Sequence, residues 1–357
     1  MTVLVNRHRL SFFSKAQLML GFLISLIISC SRIDSVEEIS GTAWGTSYSI
    51  EIVKEAKVEM DILSIKTGID SIINTIDEQM STYRLNSEIS LFNQMPIGSV
   101  IKISSGFAEV LNRSIYWSEL TSKAFDVTVF PMVLFWRKGK KDREYDDVWE
   151  PPTDFDVFME MSRVGSNKIR LNGLNLSKST KGQMLDVNAI AKGWGVDQVF
   201  EYLISKGSSR FMVEIGGEVR VIGRNNKGHK WKIGIDRPVI GNQPGDDILA
   251  VIALDNKAMA TSGNYRNFFE FDGKEYSHIV DPRNGHALQS SISSVSVIGP
   301  TCMDVDALAT ALNVMSLDKG KDLIDSLDGF EAYWIIKDSE GQFKTESSNY
   351  MPIVSGS

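Results

Sequence analysis

Hydrophobic and polar positions change their period several times along the chain, and each change predicts an element. "TAWGTSYSIEI" (42–52) alternates apolar and polar side chains and predicts a strand. "EMDILSIKTGIDSIINTIDEQM" (59–80) repeats apolar residues at helical spacing, and "SSGFAEVLNRSIYWSELT" (104–121) predicts a second helix capped by Ser104 or Ser105. "LDVNAIAKGWGVDQVFEYLISKG" predicts a strand running into a third helix that stops at Gly207. From residue 211 the pattern shortens to strands: "RFMVEIGGEVRVIG", "WKIGID", "LAVIAL", then "YRNFFEF" and "KEYSHIV" joined by Asp272-Gly273, a hairpin signal. Residues 137–156 carry basic residues, then acids, then "PP", and read as a surface loop. Helices mixed with antiparallel strands, without a regular βαβ repeat, predict an α+β fold. There is no internal repeat, low-complexity tract or heptad run.

The N-terminus changes the picture of where the chain resides. Basic Arg7, Arg9 and Lys15 precede the apolar run "AQLMLGFLISLIIS" and then Cys30, the three-part layout of a secretory signal. The ending "IISC" resembles a lipobox, in which Cys30 becomes lipidated and forms the new N-terminus. The expected organisation is a lipoprotein signal peptide over 1–29, a tether over 30–40 and one domain over 41–350. An uncleaved signal anchor is the other reading of the same run. Losing residues 1–29 removes three basic and no acidic side chains, taking the formal net charge from −7 to −10, which argues against a nucleic-acid surface. Of two cysteines, a lipidated Cys30 leaves Cys302 without a disulfide partner, so the core alone must stabilise the exported domain.

Candidate chemistry starts in "DVDALATA" (304–311), where two aspartates and a threonine interrupt an apolar helical stretch. Asp306 and Thr310 are four apart and share a helix face, so a carboxylate and a hydroxyl can converge on Mg²⁺. On this octet alone, an aspartate capping the helix and Thr310 bonding back to a carbonyl explain it as well. Lys192 stands near a helix start, where an ammonium and backbone N–H groups suit a phosphate, although a surface lysine also fits. His278 lies in a strand that ends in a proline turn beside Asp281 and Arg283. The glycine pair of "VEIGGEV" permits a close ligand approach or a plain bulge.

Taken in order, "STYRLNSEISLFNQ", "AFDVTVFPMV", "LDVNAIAKGWGVD", "VEIGGEV", "WKIGIDRP", "ATSGNYRNFFEFDGKEYSHIVDPRNG" and "DVDALATALNVM" resemble the ApbE family, the FAD:protein FMN transferases, over about residues 41–337. The resemblance implies a two-lobed α+β fold with FAD in a cleft and Mg²⁺ beside its pyrophosphate. By its motifs, Asp306, Thr310 and the backbone carbonyl of Ala189 match the metal ligands. Lys192, Ala124, Phe125, Asp126, Tyr83 and Val280 match flavin-nucleotide contacts. Trp44 stands where the family often has methionine; an aromatic face can stack on a ring as well as a thioether can. Asn188 replaces a common small residue, and Lys123 a frequent glycine.

The activity so implied is transfer of the FMN moiety of FAD to a threonine or serine hydroxyl of an acceptor protein, with His278 as general base and AMP released. Acceptors in the family carry a motif around "SGAT" in membrane redox complexes of the sodium-pumping NADH:quinone oxidoreductase and RNF kinds. The lipobox fits an exported, membrane-anchored enzyme facing the periplasm. Two rivals use the same residues: a Mg²⁺-dependent FAD pyrophosphatase giving AMP and FMN, and a non-catalytic FAD-binding lipoprotein.

Overall fold

The computed structural model describes residues 34–54, 61–139, 149–239, 241–264 and 268–356; the expected signal peptide and Cys30 lie outside them. In chain order the elements begin with strands β1 (Val36–Ala43) and β2 (Thr46–Val53), helices α1 (Ile62–Met80) and α2 (Glu88–Gln94), and β3 (Val100–Lys102). Helices α3 (Ser105–Leu120), α4 (Phe130–Lys138) and α5 (Asp154–Glu160), strands β4 (Ile169–Asn172) and β5 (Asn175–Lys178), and α6 (Asn188–Ser205) follow. Then come β6 (Phe211–Ile215), β7 (Glu218–Ile222), β8 (Trp231–Asp236), β9 (Ile248–Leu254), β10 (Ala258–Gly263), β11 (Phe268–Phe271), β12 (Lys274–Ser277) and β13 (Ile292–Gly299). Helices α7 (Cys302–Val314) and α8 (Leu317–Asp325) precede β14 (Glu331–Lys337), β15 (Phe343–Ser347) and β16 (Ile353–Gly356).

The fold is α+β, as expected. Its centre is an eight-stranded antiparallel sheet in the order β1-β2-β6-β7-β10-β13-β14-β15. Every residue of β13 is buried, so this sheet is covered on both faces. On one face lie α6 and α7, where Ile190, Val196, Leu308 and Leu312 pack with Val213, Val295 and Val297. On the other, Val219, Val221 and Ile335 meet Trp231 and Ile252 of the small β16-β9-β8 sheet. The two cores thus share the central sheet. A third cluster joins Met132 and Trp136 of α4 to Val157 of α5 and to Val280.

Several expectations are corrected. The fold begins before residue 41, because β1 starts at Val36 and Asp34 pairs with Arg210 at 2.7 Å; it also runs past 350, since β16 pairs with β9. "TAWGTSYSIEI" is not one strand: Trp44 and Gly45 both take positive φ (51° and 81°) and close the β1–β2 hairpin. Residues 183–187, directly before α6, form no strand. Instead the Asn93 amide grips the Leu185 backbone, donating to its carbonyl at 2.9 Å and accepting from its N–H at 2.7 Å. Both ends of the 137–156 segment expected as a loop are helical, because α4 continues to Lys138 and α5 starts at Asp154, while Trp149 stacks on Phe269 with centroids 4.8 Å apart. Gly216-Gly217 form the β6–β7 turn rather than a bulge.

The helix pair α6–α7 is tied end to side. The first two N–H groups of α7, Cys302 and Met303, donate to the two carboxylate oxygens of Asp197 on α6 at 2.9 and 2.8 Å. N-cap Thr301 makes no side-chain cap bond of its own, so a carboxylate from the neighbouring helix satisfies the orphan donors. Arg220 of β7 donates to Asp197 at 2.9 Å and lies over the Phe200 ring. We expect Asp197→Ala to lower unfolding free energy by roughly 3–5 kcal/mol in urea titration, the usual consequence of removing one partner of a buried ion pair. A loss under about 1 kcal/mol, the value of a surface pair, would show that the cap does not hold the helices together.

Candidate active site

Two adjoining cavities open beside the N-terminal turn of α6. The first, about 300 Å³, is lined by Ala124, Phe125 and Asp126, by Ala189, by His278 and Val280, and by Thr310. The second, about 530 Å³, is lined by Trp44, Tyr83 and Lys192. Asn188 borders both. Eleven of the residues singled out in the sequence therefore line these two neighbouring cavities, drawn from elements distant in the chain. Asp306 lines neither cavity; it is buried beneath them, between α6 and α7.

The close crossing of these helices explains the glycines of "AKGWG". A Cβ at Gly193 would sit 2.3 Å from the Cys302 carbonyl oxygen and 2.8 Å from Cβ of Asp306. At Gly195 it would meet the tip of the Trp44 ring at 2.3 Å. With the helices this close, the Gly193 N–H donates to Asp306 Oδ2 at 3.0 Å. In a regular helix that N–H belongs to the carbonyl four residues back, which is Ala189.

The capping explanation of the octet fails on geometry. Asp304 accepts from Trp117 Nε1 at 2.8 Å and Thr301 Oγ1 at 2.6 Å and pairs with Arg113, and Asp197 takes the helix end. Thr67, Thr75, Ser114 and Thr121 each bond back to a carbonyl four residues earlier, at 2.7–2.9 Å. Thr310 has no such bond among the described residues, and its side chain borders the first cavity. Thr310 and Ala189 thus border one cavity, and the Asp306 carboxylate lies one helical turn from Thr310 on α7; a hydroxyl, a backbone carbonyl and a carboxylate are all hard oxygen donors. Among the described residues no three His, Cys, Asp or Glu side chains gather into a metal cage.

Lys192 contacts the buried Glu218 carboxylate, and Asp306 lies close enough to act on both. Burial would depress the Lys192 ammonium, but Asp306 and Glu218 outweigh it and hold it above the ordinary lysine range. Burial pushes the Asp306 and Glu218 carboxyls up, against the pull of Lys192. Two buried carboxyl groups share one ammonium, so the second is neutralised by a proton or by a bound cation.

Other residues take less expected roles. The Asp126 carboxylate accepts from Thr128 N–H (2.9 Å) and Oγ1 (2.6 Å) and from Ser166 N–H (3.0 Å), so it clamps its own loop. His278 lies just past the end of β12 rather than within it. It enters a narrow hairpin closed by the Val280–Ala287 bridge and by the Leu288 N–H donating to the Ile279 carbonyl at 2.8 Å. Tyr83 is exposed at the rim.

The family profile of the ApbE family matches residues 44–334. The chain belongs to the ApbE family. It is 36% identical over 330 residues to the FAD:protein FMN transferase of Vibrio cholerae serotype O1, covering 92% of this chain and 96% of that one. The Haemophilus influenzae protein of the same name is 35% identical over 328 residues, covering 90% and 92%. The solved flavin transferase ApbE from Vibrio cholerae superposes with a TM-score of 0.77 at 35% identity, covering 88% of this chain and 98% of that one. The apo flavinyl transferase ApbE of Pseudomonas stutzeri gives 0.76 at 30%, covering 88% and 95%.

Within this ApbE chain, sequence reasoning missed Asp186 and Glu218. Asp186 borders the first cavity and accepts from the Asn188 N–H at 2.8 Å; burial pushes its carboxyl up, with the Asn188 N–H and Arg137 opposing. An aspartate two residues before a helix start is a capping signal that could have revealed it. Glu218 carries no comparable signal, since alternation along a short strand does not say which face is filled by helices. We expect Gly193→Ala to destabilise by about 1–3 kcal/mol through overpacking against backbone. Gly195→Ala should lower the melting temperature less, because its obstacle is the movable tip of a side chain. The reverse order would show that α6 and α7 have room to part.

Proposed function

We propose that this protein transfers the FMN moiety of FAD to a threonine or serine hydroxyl of an acceptor protein and releases AMP, with Mg²⁺ required. The observation that carries the reading is the convergence of His278, Thr310 and Ala189 on one cavity that adjoins Lys192, in a chain of this family. Asp306, Thr310 and the Ala189 carbonyl would hold Mg²⁺. The donor set fits a hard cation that keeps waters and substrate oxygens as its remaining ligands, and two buried carboxyl groups beside one ammonium leave a cation a place to take the proton's part. When bound, the ion supplies positive charge against the diphosphate.

The chain's own residues supply the rest. Lys192 has N–H donors to spare beyond its contact with Glu218 and binds the diphosphate oxygens as a fixed cation. Ala124, Phe125 and Asp126, with Val280, wall one cavity, while Trp44 and Tyr83 bring aromatic rings to the border of the other. His278 takes the proton of the attacking hydroxyl; its oxygen bonds to the FMN phosphorus as the bond from that phosphorus to the bridging oxygen breaks, and the bridging oxygen leaves with AMP. The acceptors we propose are membrane redox proteins of the sodium-pumping NADH:quinone oxidoreductase or RNF kind.

The test mixes the full-length protein with FAD, Mg²⁺ and an exported acceptor domain, and scores a fluorescent denatured acceptor band and AMP. AMP without a labelled band would mean that water is the acceptor, and neither product would leave a flavin-binding protein. His278→Ala should keep FAD binding, read by flavin fluorescence quenching, while labelling falls by roughly 10²- to 10⁴-fold. Asp306→Ala should instead lose labelling together with its response to added Mg²⁺. A folded His278→Ala variant that labels at the wild-type rate would remove the histidine from the chemistry.

We also propose that the chain is exported and anchored through lipid on Cys30, facing the periplasm. Support comes from the basic, then apolar, approach to "IISC". Among the described residues no helix is long and apolar enough to cross a membrane. Cys30→Ala should move the protein from the membrane fraction to a soluble or unprocessed form. Full processing with unchanged membrane association would overturn the anchor.

A further inference from the structure

Glu218 opens β7 directly after the Gly216-Gly217 turn and is only 3% exposed. One carboxylate oxygen contacts Lys192 Nζ; the other, Oε2, is buried without a hydrogen-bond partner. A buried carboxylate with an unpartnered oxygen does not favour folding, so its presence calls for a reason other than stability. The surroundings supply one. Lys192 stands within electrostatic reach of both Asp306 and Glu218, yet its contact is with Glu218. The Asp306 oxygen that is hydrogen-bonded is held by the Gly193 N–H instead.

We infer that Glu218 is a positioning residue: its carboxylate holds the Lys192 ammonium at the wall of the second cavity and off Asp306, leaving Asp306 to a divalent cation and the spare Lys192 donors to an anionic ligand. Without Glu218, the half-buried ammonium has one carboxylate left within reach, and a Lys192–Asp306 pair would occupy the position a metal needs. In a poorly solvated site that competition is strong, because Coulomb energies there are several times those in water. Glu218 acts on the metal through Lys192 and need not touch it. The inference rests on the magnesium reading of Asp306.

The experiment titrates Mn²⁺ into the full-length protein and follows the free ion by electron paramagnetic resonance, so that neither FAD nor turnover is involved. Glu218→Gln should weaken Mn²⁺ binding about tenfold or more, by freeing Lys192 to pair with Asp306. Adding Lys192→Met to Glu218→Gln removes the competitor and should restore affinity to within about threefold of wild type. Glu218→Asp, which keeps the charge, should fall between wild type and Glu218→Gln. Unchanged affinity in Glu218→Gln would overturn the inference. So would a double variant as weak as Glu218→Gln, which would mean that Glu218 works through the fold or on the metal directly. The double variant buries no unpaired ammonium and decides the matter even where Glu218→Gln fails to fold. Wild-type protein that takes up no Mn²⁺ at millimolar concentration would overturn the metal reading itself and this inference with it.

Discussion

The close crossing of α6 and α7 is the constraint on which the rest depends. Only a residue without a side chain lets the two backbones meet at Gly193, and that proximity does three things together. It brings the Asp306 carboxylate onto a backbone N–H of α6. It lets Asp197 reach across and cap α7. It also sets Thr310 and the first turn of α6 on the border of the same cavity. The helices approach through polar contacts at their N-terminal halves while Ile190, Val196, Leu308 and Leu312 seal the interface toward the sheet. Apolar packing supplies the stability and the polar crossing supplies the register.

That arrangement concentrates charge where solvent is scarce. Asp197 with Arg220, and Asp306 and Glu218 with Lys192, form two buried clusters on neighbouring turns of α6. The first is closed: the Asp197 oxygens take two backbone N–H groups and a guanidinium. The second is left open, with a surplus carboxylate and an unpartnered Glu218 oxygen. Burial makes such an imbalance unfavourable, and this is the difference between a structural ion cluster and one that faces a ligand cavity.

Much of this was legible in the sequence. The helical period over 59–80, the Ser104 cap and the Asp272-Gly273 hairpin reappear as α1, the start of α3 and the β11–β12 turn. The i, i+4 spacing of Asp306 and Thr310 placed both on one helix face, because helical geometry is local. What was not legible depended on partners remote in sequence. The Asn93 amide replaces the strand expected before α6. Trp44-Gly45 splits an alternating run, since alternation survives a two-residue turn and does not mark it. Gly193 and Gly195 are explained by atoms of Cys302, Asp306 and Trp44, none of which is near them in the chain.

Trp44 couples a tight turn to a helix and to a cavity wall. Its backbone takes a positive φ of 51°, unusual for a bulky side chain, so the ring must be held by tertiary contacts. Its Nε1 donates to the Ile73 carbonyl on α1 at 3.3 Å, and the ring edge lies on Gly195. A glycine at 195 thus makes space for an indole at 44, and the two positions behave as one unit. The indole in turn borders the second cavity beside Lys192. Through it, the conformation of the β1–β2 turn, the seat on α6 and the shape of the cavity are coupled. Replacing the ring would therefore disturb the hairpin as well as the pocket wall.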